Sequence, residues 1–428
     1  MTLVFLVLFI LFLAIGMPVA FALLAGPAGE ATLRGEPEVL TQLTLRLYYG
    51  IDSFPLMALP FFVLAGEIMN RGGITARLVT LAQSFIGHFR GGLAQANILT
   101  SILFAGLSGS AVADTSAVGS VLIPAMEKNG YTIRFAAAVT AASSVIGPII
   151  PPSGIMILYA FMMDVSVAGL FAAGVVPGIV LGAGLMILTG FLARVRNYPV
   201  AGEAASWSER GAAVKAGILP LLTPVIMLGG ILLGIFTPTE AAAIAVAYAV
   251  VLAMFIMRTM TIRDLGGVLS KSSVTSGVIL ILVGAAVSFA SVLALTGAPQ
   301  KITDAFLGIS ENPLMLLFLV NILLLVIGMF LDAGPAILIL GPILGPIFIG
   351  LDVHALHFAI IMCVNVTVGL ATPPMGLILF VAAGLTDEPV ESIAKEMLPF
   401  LAVEIAVIFL VTFVPAISLT LPRLLGYM

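Results

Sequence analysis

The chain contains one cysteine, Cys363, one tryptophan, Trp207, and three histidines in 428 residues. A single thiol excludes a disulfide framework and a cysteine-ligated metal cluster. His354 and His357 lie three residues apart, but no further His or Cys accompanies them, so they do not form a zinc pattern. Charged residues make up only 9% and the net charge is −4, which gives no basic surface for nucleic acid. No Lys or Arg precedes Arg34, so the apolar N-terminus lacks the basic flank of a cleaved leader and reads as a retained membrane segment. The pattern G-x-x-x-x-G-K-[ST] is missing, which excludes the usual way of binding ATP. No nucleophile–base pairing stands out, so neither catalysis nor an organic cofactor is expected.

What is present is apolar. Hydrophobic residues make up 61% of the chain and the mean hydropathy is +1.24. A soluble domain of this length could not solubilise such a surface, so the chain reads as an all-α polytopic membrane protein in a lipid bilayer. Clear spans lie near 54–70, 136–160, 169–193, 216–235, 240–258, 272–297, 355–383 and 398–421. The stretches 92–126 and 313–349 are too long for one helix and are rich in Gly, Pro and Ser at their centres. Each is either one long span or a re-entrant helical hairpin.

The chain also repeats itself. At an offset of 222 residues, Gly106, Gly119, Pro124, Gly147, Pro151, Pro152, Gly154 and Pro177 meet Gly328, Gly341, Pro346, Gly369, Pro373, Pro374, Gly376 and Pro399. Composition alone predicts roughly one such Gly or Pro identity over that stretch. Paired interruptions in two halves are the best sequence pointer to a transporter's midplane site. The repeat also divides the N-terminal run. Three spans precede the second hairpin, and the turn Gly234–Pro238 resembles Gly16–Pro18, so helices are expected at about 2–15 and 18–33. Hydropathy alone would allow a single helix over 2–25. The total is about 11 transmembrane helices plus two hairpins. The first repeat covers 1–198, with scaffold helices in 2–70 and an amphipathic arm at 71–90. A hydrophilic linker follows at 199–212 and the second repeat covers 213–428. Segment 34–52 also reads as an interfacial arm.

Charge orients the chain. With both hairpins re-entrant and Arg71 in the cytoplasm, 13 Lys and Arg lie inside and only Arg34, Arg46, Lys301 and Arg423 lie outside. That bias follows the positive-inside rule, puts both termini in the periplasm and makes the repeats inverted.

Polar chemistry gathers at the interruptions. In Ser143–Ser153, prolines 148, 151 and 152 cannot all be helical, and freed carbonyls at bilayer depth need a partner. A desolvated cation is one such partner; Ser/Thr back-bonding across a simple kink is another. The equivalent segment Asn365–Pro374 supplies Asn365, Thr367 and Thr372 as uncharged oxygen ligands. Gly106–Ser116 carries Ser108-Gly109-Ser110 as a hairpin turn, and Gly328–Pro335 is its partner. Two half-helix N-termini aimed at the midplane would suit a carboxylate. Asp114, Asp332 and Glu404 are the deepest acids. Asp114 and Asp332 do not align at the repeat offset; each would contact substrate or ion, or cap a hairpin helix. Glu404 is expected to face a partner subunit or a scaffold hydrogen bond.

At Pro60–Ile74 (PFFVLAGEIMNRGGI), Ser108–Ser110, Gly147–Ser153 and Thr372–Pro374 the chain resembles the large membrane subunit of tripartite ATP-independent periplasmic (TRAP) transporters, over essentially its whole length. The resemblance implies an elevator-type fold with two sodium sites, each between a hairpin tip and a broken helix. It further implies organic-anion import fed by a periplasmic substrate-binding protein, with a small four-helix membrane subunit as partner and a bacterial inner-membrane location. Carried onto this sequence, one Na⁺ would lie near Ser144, Gly147 and Ile150 with Ser108 or Ser110, and the other near Gly328, Asn365, Gly369 and Thr372. A small carboxylate would sit among Ser108, Gly109, Ser110, Asp114, Pro151, Pro152, Ser153, Asp332, Pro373 and Pro374. Residues 26–38 are less apolar than that family usually shows, which implies a short second helix.

The expected activity is sodium-coupled uptake of small carboxylates such as C4-dicarboxylates or sialic acid. Segments 90–195 and 313–421 would form a body that slides against a scaffold of 2–70 and 216–297. A self-sufficient Na⁺/dicarboxylate symporter of similar design and a membrane-embedded enzyme are the alternatives. The enzyme requires a clustered His/Asp/Glu constellation, and the sequence offers none.

Overall fold

The computed structural model describes residues 4–200, 204–310 and 312–428, and every regular element among them is a helix. The first half runs α1 (Val4–Ala14), α2 (Val19–Arg34), α3 (Pro37–Ile51), α4 (Ala58–Arg71), α5 (Ile74–Ile86), α6 (Gly92–Ser108), α7 (Ala111–Lys128), α8 (Ile133–Ser144), α9 (Gly154–Met163) and α10 (Val167–Val195). The second runs α11 (Trp207–Leu232), α12 (Pro238–Val250), α13 (Ile262–Leu295), α14 (Ala298–Ile309), α15 (Pro313–Phe330), α16 (Ala333–Gly350), α17 (Ala355–Gly369), α18 (Leu377–Gly384), α19 (Val390–Phe413) and α20 (Ala416–Leu424). The duplication is visible in these bounds. The α16 helix begins and ends 222 residues after α7, α15 ends 222 after α6, and α17 begins 222 after α8.

Seven helices among the described residues are long and apolar enough to cross a bilayer, or eight if α3 and α4 count as one bent span. The broken helices divide spans that hydropathy reads as continuous. The N-terminal run is two helices: Ile15, Gly16 and Met17 donate back to Leu11, Leu13 and Phe12 and close the first, and Pro18 precedes the second. The α2 helix reaches Arg34 despite its polar residues, because Glu30 accepts the Phe5 N–H at 2.8 Å and pairs with Arg34 at 2.9 Å. Where one span was expected over 398–421, the helix stops at Phe413. Val414 precedes Pro415 and takes φ −121°, ψ 81°, as the proline ring requires. The segment expected as a linker is already helical from Trp207, where Ser206 and Glu209 form a capping box.

Two groups of helices emerge from the packing. In one, α13 lies against α2, α3 and α4, α12 against α4 and α11, and α1 against α2. In the other, each hairpin is braced by both halves of the chain: α7 packs on α8 and on α18, and α16 packs on α17 and on α9. At the centre lie α8 and α17, buried from Phe135 to Ser144 and from Leu356 to Gly369. Helices apolar all round belong inside. Alanines 136, 137, 138, 141 and 142 on α8 have no side chain to hold neighbouring backbones apart. The α5 helix touches both groups, packing on α11 as well as on α6 and α7.

Candidate functional site

Both broken helices give way in non-helical backbone, at 145–153 and 370–376, and both contain a cis Pro–Pro bond, Pro151–Pro152 and Pro373–Pro374. Each hairpin tip lies against one of these breaks. At the first tip Gly109 has φ +56°, and a Cβ there would stand 2.9 Å from the Pro152 carbonyl oxygen. A Cβ on Gly147 would be 3.5 Å from the Ser110 carbonyl oxygen and 3.2 Å from that of Ser144. At the second tip a Cβ on Gly369 would fall 2.5 Å from the Gly328 Cα and 3.1 Å from its carbonyl oxygen. The approaches at Gly109, Gly328 and Gly369 leave no room for a side chain, whereas the contact at Gly147 is looser.

The hydroxyls at the breaks do back-bond. Ser144 donates to the Thr140 carbonyl and Thr372 to the Val368 carbonyl, each at 2.8 Å. That uses the hydroxyl proton and leaves the oxygen lone pairs available. Among the described residues no backbone N–H is given to the carbonyls of Gly147 and Ile150. Asn365 donates to Asn321 Oδ1 and the Ile361 carbonyl, both at 2.7 Å, and its own Oδ1 is buried without a partner. In the first half Asn97, Thr140, Ser143 and Ser101 form the corresponding brace between hairpin and broken helix.

A cavity of about 700 Å³ opens between the two groups of helices. It is lined by Ser108, Gly109 and Ser110 of the first tip, Asp332 of the second, Pro148 and Pro152 of the first break, and Glu67, Asn70 and Thr275 of α4 and α13. Neither Lys nor Arg lines it. Helix beginnings do instead: besides the start of α2 at Pro18–Ala20, those of four helices in the hairpin-bearing group, α7 through Ala111–Ala113, α16 through Ala333–Pro335, α9 through Gly154 and Ile155, and α18 through Leu377. The positive dipole ends of these helices therefore converge on one space, with those first-turn N–H groups that the Ser110 and Asp332 caps and the Leu370 carbonyl do not take.

The other nominated residues are placed elsewhere. Pro151, Ser153, Pro373 and Pro374 lie in the breaks but do not line the cavity, nor do Ser144, Gly147, Ile150, Gly328, Asn365, Gly369 and Thr372. Asp114 is fully buried beside the hydroxyls of Ser101 and Ser144, and it does not cap α7; Ser110 does. Asp332 caps α16. Glu404 does not face a partner subunit. It is fully buried and unpartnered on the face of α19 that carries Phe400 and Ile408, and α19 packs on α8, α10 and α17. His357 closes the α19–α20 break, with Nε2 at 3.1 Å from the Thr412 carbonyl and Nδ1 at 2.7 Å from Ser418 Oγ. No group of three potential metal ligands occurs among the described residues. Glu67, Asn70 and Thr275 were not singled out from sequence, although Glu67 and Asn70 fall in the motif Pro60–Ile74.

Comparison with known proteins decides the family. Residues 6–417 match the family described as tripartite ATP-independent periplasmic transporter, DctM component. The chain belongs to that family. It is 38% identical over 413 residues to the sialic acid TRAP transporter large permease protein SiaM of Vibrio cholerae, covering 96% of each chain. It is 40% identical over 402 residues to the C4-dicarboxylate TRAP transporter large permease protein DctM of Pseudomonas aeruginosa, covering 94% of each. Among solved structures the YdaH transporter of Alcanivorax borkumensis matches with a TM-score of 0.63 at 15% identity, over 89% of this chain and 88% of that one, which establishes likeness of fold. This DctM-family chain is thus a multi-pass membrane permease, and its relatives are named as permeases rather than enzymes.

Proposed function

We propose that this DctM-family permease imports small organic anions, carboxylates, coupled to sodium. The observation that carries the reading is the cavity fed by four helix N-termini and lined by no Lys or Arg. Such termini favour an anion through backbone N–H groups and dipoles. With Glu67 and Asp332 also in the lining, the remaining positive charge would come from bound cations. The places for them are the contacts between tips and breaks: Ser144, Gly147 and Ile150 with Ser108 and Ser110, and Gly328 with Asn365, Gly369 and Thr372. Their uncharged oxygens suit a monovalent hard ion that must also leave. An ion there would bind tip to break and complete the anion site, which couples the two ligands. The named cargoes of the two permease relatives, sialic acid and C4-dicarboxylates, are both carboxylates.

The chain is read as two inverted repeats whose hairpins and broken helices move as one body against α1–α4 and α11–α13, an elevator. Its partners would be a small four-helix membrane subunit and a periplasmic binding protein, in a bacterial inner membrane with both termini periplasmic. Reconstitution tests this directly. Proteoliposomes holding the chain, its small subunit and the binding protein should take up the carboxylate only with an inward sodium gradient. Uptake indifferent to sodium would overturn the coupling, and robust uptake by the chain alone would favour a self-sufficient symporter.

A further inference from the structure

A second cavity, of about 330 Å³, lies far from the tips, where the turn between α5 and α6 meets the end of α10. Two guanidinium groups line it, those of Arg90 and Arg194, together with Gln95, Ile86, Phe89 and Met186. No carboxylate lines it. Arg90 has only a neutral contact, to Asn197 Oδ1 at 3.4 Å, and Arg194 makes no ion pair among the described residues. The neighbouring Arg196 differs, being tied to Glu396 at 2.5 Å. Gln95 gives its amide N–H to the Met186 carbonyl at 2.7 Å, which fixes the floor. An antiparallel bridge between Arg90 and Val200, and stacking of Tyr198 on Tyr131 at 4.7 Å, hold the walls. Outside the cavity the apolar face of α10 is bare: Phe191 is 63% exposed and Ile187 75%, three and seven residues before Arg194. Phe89, 55% exposed, stands beside Arg90.

We propose that this cavity binds the phosphodiester of an anionic phospholipid, with an acyl chain lying along Phe191 and Ile187. Two guanidinium forks without an acidic partner match a phosphate's oxygens. The apolar track beside them continues toward the bilayer interior, which a free phosphate would leave unused. A zwitterionic headgroup would bring an ammonium into a cavity without a carboxylate, so a phosphatidylglycerol-type headgroup fits better. Basic pockets between helices at the positively charged membrane face bind anionic headgroups in this manner. Because α5 touches both groups of helices while α6 and α10 belong to the hairpin-bearing one, a lipid here would bridge the two. The proposal depends on membrane placement and is independent of the sodium and carboxylate reading.

Native mass spectrometry of the full chain, titrated with phosphatidylglycerol, phosphatidylcholine or inorganic phosphate, tests it. The wild type should retain phosphatidylglycerol about tenfold or more tightly than phosphatidylcholine, the ratio expected for one charge-assisted contact. R90Q/R194Q should lose that preference, and R90K/R194K should keep part of it. Each single Gln variant should weaken retention on its own, which keeps the test valid if the double variant folds poorly. Equal retention of the two lipids, or an undiminished preference in R90Q/R194Q, overturns the site. Displacement of the lipid by excess inorganic phosphate shows that free phosphate is the ligand and overturns the lipid assignment.

Discussion

Ser110 and Asp332 stand 222 residues apart at the same position of the two hairpins, and each caps the helix that follows. Ser110 Oγ accepts from the Ala113 N–H at 3.4 Å, and Asp332 Oδ1 from the Ala333 N–H at 2.8 Å. One half therefore places a formal charge on the cavity where the other places a neutral hydroxyl. Asp332→Asn keeps a capping oxygen and removes the charge. Its half-saturating sodium concentration for uptake should rise several-fold, whereas Ser110→Ala should cost about 1 kcal/mol of helix stability through the lost cap. An unchanged sodium dependence in Asp332→Asn would remove this carboxylate from cation binding.

The two tip contacts differ in tightness, which gives a paired prediction. Gly369→Ala drives a methyl into the Gly328 backbone at 2.5 Å, whereas Gly147→Ala meets nothing closer than 3.2 Å. Overpacking against backbone costs about 1–3 kcal/mol or more. Thermal unfolding in detergent should show Gly369→Ala clearly destabilised and transport-dead, with Gly147→Ala much milder. Equal melting of the two variants would contradict the close approach at the second tip.

Thr372→Val keeps shape and deletes one hydroxyl oxygen. The Thr372 hydroxyl proton is already committed to the Val368 carbonyl, so the loss falls mainly on lone pairs available to an ion. The sodium concentration for half-maximal uptake should rise, with little change in the melting temperature. A lower melting point with unaltered sodium dependence would assign Thr372 to packing alone.

The proposed sliding can be blocked where the two groups of helices meet. The α10 and α13 helices, natural choices from hydropathy, do not pack closely on each other, but α13 packs on α16. A disulfide between cysteines on α13 and α16, in a Cys363→Ser background, should abolish transport and leave sodium binding measurable. Undiminished uptake with the link fully formed would refute a moving body.

Outside the membrane core, Asp264 receives the Thr261 hydroxyl and N–H and pairs with Arg71 at 3.2 Å, in that order of effect, which holds its carboxyl down to about 2. A folded value below the unfolded 3.8 means the contribution is present above that value and is lost as pH falls toward about 2. Proteolysis of the 257–262 loop should stay constant from neutral pH to about 4 and rise below it. Asp264→Asn should flatten that dependence.

Much of this was legible from glycine and proline, because their backbone effects survive in sequence as identities. The offset of 222 located hairpins and breaks to within a few residues. It would also have located α14, twelve residues beginning at Ala298, opposite α5; that segment is short and amphipathic and leaves no hydropathy signal. The Ser110–Asp332 equivalence escaped notice since the two residues share a role, not an identity. The burial of Glu404 could not be read from its own helix, because which face of α19 turns inward is decided by α8, α10 and α17. The fourfold convergence of helix ends is likewise a property of tertiary packing.

That convergence bears on how such a protein diversifies. On the proposed reading, a binding site made largely of main-chain N–H groups has no single side chain whose replacement erases its attraction for negative charge. Mutations at Asn70, Thr275 or Ser108 would reshape the walls around a cargo while leaving the underlying preference intact. Change of cargo is then open to small evolutionary steps, whereas loss of anion handling requires the breaks themselves to be rebuilt.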